Sequence, residues 1–154
     1  MIRLKERDKA PAFKSINEKG EEISLSNFKG KKLVLYFYPK DDTPGCTAEA
    51  CDLRDNYKMF QKKGYEILGV SPDGITKHQK FIAKYKLPFS LLADEEHHVA
   101  EAYGCWGEKS MYGRKYMGVE RTTLIIDEKG KISHVFPKVK VDGHTEEVLK
   151  ALSE

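Results

Sequence analysis

Three cysteines in 154 residues are too few for the disulfide framework of a small secreted domain. They are expected to be reactive, metal-binding or simply buried. The chain also lacks an apolar run approaching the ~20 residues of a membrane span. It has no internal repeat, no low-complexity stretch and no linker, and it holds a single tryptophan. An excess of one charge sign is missing too: 27 basic side chains face 24 acidic ones, for a net charge of +3. Lysines are scattered along the chain rather than gathered in one arm, so the sequence gives no footing for nucleic-acid binding. Residues 1–8, MIRLKERD, are charged and lack the apolar segment of a signal peptide, from which a cytoplasmic location is expected.

What is present is enough for one core. Apolar residues make up 40% of the chain, and one domain over residues 1–154 is expected at this length. Strand and helix patterns alternate, which argues for an α/β fold. Phe13 to Ile16 and Glu22 to Leu25 read as an N-terminal hairpin around Asn17-Glu18-Lys19-Gly20. Lys32 to Tyr38 is a continuous β-rich run, as expected of a central strand covered on both faces. Pro39 ends it, and a helix follows to about Lys63, where Gly64 supplies a stop. A strand from Glu66 to Val70, a helix from Ile75 to Tyr85, a short strand at Ser90 to Leu92 and a short helix from Glu96 to Tyr103 come next. Gly104 to Gly118 reads as loop. Arg121 to Ile126 and Ile132 to Phe136 form a hairpin, and a helix from Thr145 to Leu152 closes the chain. This order is the thioredoxin-like arrangement: a central mixed β-sheet flanked by helices, with an N-terminal β-hairpin extension. A fold of this kind does not by itself specify chemistry.

The chemistry-bearing segment runs from Pro39 to Cys51, PKDDTPGCTAEAC. Thr43 is a good N-cap and Pro44 suits the first helical position. Cys46 then stands third in the helix, beside unpaired backbone N–H groups and the positive end of the dipole, which favour the nucleophilic thiolate. Asp41 and Asp42 would oppose this if turned inward, so they are expected to face solvent. Cys46, Ala50, Leu53, Tyr57 and Phe60 trace one buried stripe. Cys46 thus begins the core-facing side at the carboxyl edge of a central strand, where open α/β sheets bind ligands. The alternative is that Cys46 is a small buried hydrophobe.

The segment YFYPKDDTPGCTAEAC resembles the active site of peroxiredoxins, whose pattern of Pro, three residues, Thr or Ser, two residues, Cys is met at Pro39, Thr43 and Cys46. Cys51, five positions on, is similar to the second cysteine of the peroxiredoxin Q or bacterioferritin comigratory protein subfamily. Arg121, in GVERTTLIID, matches the family's active-site arginine. The resemblance implies a thiol peroxidase acting on hydrogen peroxide and organic hydroperoxides. Cys46 would be the peroxidatic nucleophile that becomes a sulfenic acid. Thr43 would orient the peroxide, Pro39 would shield the sulfur, and Arg121 would stabilise thiolate and leaving oxygen. Cys51 would resolve the sulfenic acid as an intramolecular disulfide, which thioredoxin or a similar dithiol protein would reduce. A monomer with no cofactor and no metal is expected. On its residues alone, Arg121 also fits a surface salt bridge.

Other residues leave alternatives open. Glu49 either buttresses an arginine or is an exposed helix glutamate. Cys105 is a second candidate resolving thiol, or packs as a small apolar group beside Trp106. His97 and His98 would point about 100° apart on a helix and chelate poorly. Tyr112, Tyr116 and Met117 could line a peroxide entrance or cover the sheet. Three other functions compete: a thioredoxin-type oxidoreductase, which would normally need C-x-x-C, a redox-sensing module, and a metal-binding protein.

Overall fold

The structure is a computed structural model that describes residues 3–153. Residues 1–2, where the charged N-terminal run begins, and residue 154 lie outside it. Five strands form the central sheet in the order β5-β4-β3-β8-β9. They are β3 (Lys32–Phe37), β4 (Tyr65–Ser71), β5 (Ser90–Ala93), β8 (Thr122–Ile126) and β9 (Ile132–Phe136). β3 runs parallel to β4, β4 parallel to β5, and β8 is antiparallel to both β3 and β9. This is the thioredoxin-like sheet, and β3 lies at its centre. After Lys32 its run is apolar and buried because alternate side chains feed two cores. Leu33, Leu35 and Phe37 join one buried layer; Val34, Tyr36 and then Tyr38 join the other.

The second layer is filled by helices α1 (Pro44–Asp55), α2 (Tyr57–Lys62), α3 (Ile75–Tyr85) and α5 (His144–Leu152), through Cys46, Ala50, Leu53, Phe60, Phe81 and Val148. Tyr57 is only half-buried against it. The first layer is closed by α4 (His98–Ala102), with Val99 and Ala100, and by Phe13 and Tyr103. The N-terminal hairpin pairs β1 (Lys14–Ile16) with β2 (Glu22–Ser24). Among the described residues no helix is long and apolar enough to cross a membrane.

Two expectations fail here. The helix expected to run to Lys63 breaks at Asn56, whose side-chain amide donates to the Asp52 carbonyl at 2.9 Å. That carbonyl would otherwise accept the Asn56 N–H in a continuous helix; the N–H turns instead to Leu53 at 3.2 Å. A short polar side chain has outcompeted the backbone ladder. The stretch 104–118, expected to be loop, is a hairpin of β6 (Trp106–Met111) and β7 (Arg114–Val119). It turns on Tyr112 and Gly113, both at positive φ (51° and 78°). Most of its side chains are exposed, so no apolar alternation advertised it. Tyr112, Tyr116 and Met117 are among the exposed ones and do not cover the central sheet.

Candidate active site

The parallel pairing of β3 with β4, and of β4 with β5, brings three carboxyl ends together, and the antiparallel register sets Thr122, the first residue of β8, opposite Phe37 at the end of β3. Arg121 immediately precedes Thr122, so the sheet itself delivers its guanidinium to the place where β3 stops and α1 begins. Cys46, third in α1 and 1% exposed, meets it there: Arg121 Nη2 lies 3.4 Å from Cys46 Sγ. The approach depends on Gly45, because a Cβ at that position would stand 3.2 Å from Nη2. Charge on both sides holds the guanidinium protonated. Burial works against it, and the neighbouring Glu49 and Cys46 more than compensate.

Of the two alternatives for Glu49, an arginine partner or an exposed helix glutamate, the structure shows the first. Glu49 is 2% exposed and accepts a hydrogen bond from Arg121 Nη1 at 2.7 Å. The arginine therefore bridges Glu49 and Cys46 with its two terminal nitrogens, a geometry its planar fork permits. Burial pushes the Glu49 carboxyl up to about 7, against the pull of the Arg121 charge and hydrogen bond. Its Oε2 atom and the Tyr36 hydroxyl are the buried side-chain oxygens without a partner among the described residues. Tyr36 feels the charges of Glu49, Asp41, Cys46 and Arg121, and burial first, then three of these, raise its hydroxyl far above the ordinary value. The spacing gave a signal for Glu49: three residues after Cys46 is the same face of a helix.

Thr43 is the N-cap residue, as expected, but its hydroxyl does not cap the helix. It donates to the Lys40 carbonyl at 2.8 Å and closes the preceding turn. Pro39 is half-buried at the head of that turn. The expectation that Asp41 and Asp42 both face solvent holds for Asp42 only. Asp41 is buried, because Tyr38 and His78 supply hydrogen-bond partners on the inside.

All three cysteines are free. Cys51 sits on the same unbroken α1 as Cys46, half-exposed, and lines a shallow depression with Ala48, Asp52, Asp55 and Val141. Cys105 belongs to the opposite buried layer, so the central sheet stands between it and Cys46. Burial pushes the Cys105 thiol up to about 12, and Trp106 packs against the same layer. His97 precedes α4 and lies flat on the Trp106 ring, 3.9 Å between centroids. Among the described residues no group of three or more His, Cys, Asp or Glu is arranged to hold a metal ion.

A buried cysteine thus stands at a helix start, faced by an arginine that Glu49 orients. The AhpC/TSA family model matches residues 7–135. The chain belongs to the AhpC/TSA family. It is 54% identical to a putative peroxiredoxin Bcp of Coxiella burnetii over 144 residues, 94% of this chain and 95% of that one. A cysteine-to-serine variant of Xylella fastidiosa PrxQ superposes with a TM-score of 0.92 at 32% identity, covering 98% of this chain and 96% of that one. The bacterioferritin comigratory protein of Xanthomonas campestris superposes at 0.89 with 36% identity, covering 99% and 98%. The chain is thus a peroxiredoxin, a thiol-dependent peroxidase of thioredoxin-like fold.

Two outcomes are expected from the site's electrostatics. Arg121→Ala should lower the second-order rate with peroxide by about one to three decades, as for a lost transition-state donor. The pH midpoint of Cys46 alkylation should rise in that variant; unchanged rate and midpoint would leave Arg121 a structural residue. Glu49 generates a linkage effect. Its carboxyl is held near 7 when folded and titrates at about 4.3 when unfolded, so the folded state binds this proton more tightly. Its contribution to stability therefore falls as pH rises through that window. Denaturant titrations from pH 4 to 8 should show Glu49→Gln losing less stability with rising pH than the wild type, and parallel curves would contradict this.

Proposed function

We propose that this peroxiredoxin reduces hydroperoxides at Cys46. The observation that carries the reading is the buried Cys46 sulfur facing Arg121 Nη2 at 3.4 Å, at the start of α1. The thiolate attacks one peroxide oxygen, the O–O bond breaks, and water or an alcohol leaves after taking a proton; the sulfur is left as a sulfenic acid. Arg121 stabilises the charge that moves from sulfur to the leaving oxygen. Thr43 orients the peroxide and Pro39 limits water at the sulfur. Organic hydroperoxides join hydrogen peroxide as substrates, in keeping with the alkyl peroxide reduction activity named for the Xanthomonas campestris neighbour.

Cys51 then attacks the sulfenic sulfur, water leaves, and an intramolecular disulfide forms. Thioredoxin or a similar dithiol protein reduces it. The enzyme works as a monomer of one domain, in the cytoplasm, without cofactor or metal. Helix geometry makes the second step conditional. Five residues along one α-helix give about 7.5 Å of rise and about 140° of rotation, so the two Cα atoms stand about 8 to 9 Å apart. A disulfide needs less than ~7 Å. The first turns of α1, from about Thr43 to Asp52, unwind once Cys46 is oxidised and rewind on reduction. Pro44, Gly45 and Thr47 are weak helix formers, whereas Leu53 and Phe60 are anchored in the core.

Cys46→Ser is the direct test of the nucleophile, since a hydroxyl does not ionise usefully near pH 7. Peroxide consumption with dithiothreitol, and in parallel with thioredoxin, should fall to a trace. Turnover above a trace in the folded variant would sink the assignment.

A further inference from the structure

Helix α3 grips the turn that carries Pro39 and Thr43 by two consecutive aspartates of opposite burial. Asp42 is tied on the outside, to Lys84 Nζ and the Tyr85 hydroxyl, both at 2.9 Å. Such a pair is exposed and salt-screened, and holds little. Asp41 is tied on the inside to His78, which is fully buried. His78 Nδ1 lies 2.6 Å from Asp41 Oδ2, and His78 Nε2 lies 2.8 Å from the Leu92 carbonyl of β5. The Tyr38 hydroxyl donates to the other Asp41 oxygen at 2.5 Å. The Asp41 N–H donates to Asp73 Oδ2 at 2.7 Å, and Ser71 donates to the same oxygen at 2.8 Å.

The protons in this network can be counted. The Leu92 carbonyl only accepts, so Nε2 carries a hydrogen. One further proton lies between Nδ1 and Asp41 Oδ2, on the ring or on the carboxyl. Either way the buried pair is electrically neutral. Without the ring, Asp41 would lose the partner that shares this proton, and any charge it carried would stand uncompensated inside the protein. A chain of buried rings leads from Asp41 towards Cys46: Tyr38, which bonds Asp41, stacks on Tyr36 at 5.3 Å between centroids, and Tyr36, Tyr38 and Cys46 belong to one buried layer. An uncompensated anion there disfavours a thiolate.

We propose that His78 is a positioning residue of the peroxidatic site, which cancels the buried Asp41 charge and fixes the Pro39–Thr43 turn against α3 and β5. His78 does not touch Cys46 and takes no part in proton transfer to the peroxide. Its effect passes through Asp41 alone. The groups facing the pair are Tyr38 just after β3, Ser71 at the end of β4, Asp73 beyond it, the Leu92 carbonyl on β5, and Lys77, paired with Asp73 at 3.6 Å. Burial lowers the basicity of His78, but Asp41, the Leu92 carbonyl and Asp73 raise it further, so the ring holds its proton more firmly than a free imidazole.

The inference rests on Cys46 being the peroxidatic residue, and its test reads Cys46 without peroxide. Iodoacetamide alkylation of Cys46, mapped by mass against pH, is compared in wild type, H78Q and D41N/H78Q. In H78Q the midpoint should rise by about one pH unit. The peroxide rate should fall by about ten- to hundredfold, as for a displaced positioning group. The double variant replaces the pair by two neutral amides that can bond Tyr38, each other and the Leu92 carbonyl, and should recover the wild-type midpoint. A folded H78Q with a lower melting temperature but an unmoved midpoint would make His78 merely structural and overturn the proposal. A raised midpoint that the double variant fails to recover would overturn it as well. Should H78Q not fold, the double variant decides alone. Folded with a wild-type midpoint it supports the proposal; unfolded, or with a raised midpoint, it overturns it. Turnover by Cys46→Ser would remove the peroxidatic reading and leave these midpoints interpretable.

Discussion

In the proposed cycle, helix α1 is wound while Cys46 faces Arg121 and would have to unwind for Cys46 to reach Cys51. That conflict organises the site. In the wound state the first turn buries the sulfur, Glu49 on the same face orients the arginine, and Gly45 leaves room for the guanidinium. Cys51, five residues further along the same helix, lines a depression with Val141 and is not bonded to Cys46. The break at Asn56 separates this segment from α2, whose Phe60 stays in the core. The proposed opening of α1 at its N-terminal end would therefore leave Phe60 and the rest of α2 in place.

The sheet gives two thiols in one chain opposite characters. Cys46 lies where β3 ends and a cation waits; Cys105 lies across the sheet among apolar side chains, with its thiol pushed up by burial. Burial alone does not set the two apart, since both are about equally hidden. What distinguishes them is the edge of the sheet and the charge found there.

Much of this was legible in the sequence because local rules and tertiary structure agree. Ile75–Tyr85 carries a strong helical period and forms the expected helix. The apolar run of β3 and the Pro44-Gly45 helix start needed nothing distant to be read correctly. The misreadings of single residues involve partners remote in sequence or competition between close alternatives. Asp41 looked like a solvent aspartate because His78, 37 positions away, could not be seen beside it. Glu49 looked optional because only Arg121, 72 positions away, makes its burial tolerable. Thr43 chose the Lys40 carbonyl over the helix N–H groups, and Asn56 chose the Asp52 carbonyl over a continuous helix. The hairpin at Trp106–Val119 was hidden because neither of its faces is fully buried.

The demand that one helix serve two states is open to direct measurement by hydrogen exchange on the reduced protein and on the peroxide-treated protein, with the disulfide identified by peptide mass. The account requires a Cys46–Cys51 bond and a loss of amide protection across residues 46 to 52 in the oxidised form, while protection around Phe60 persists. Equal protection of residues 46 to 52 in both forms, with that bond present, would contradict it, as would a dominant disulfide involving Cys105.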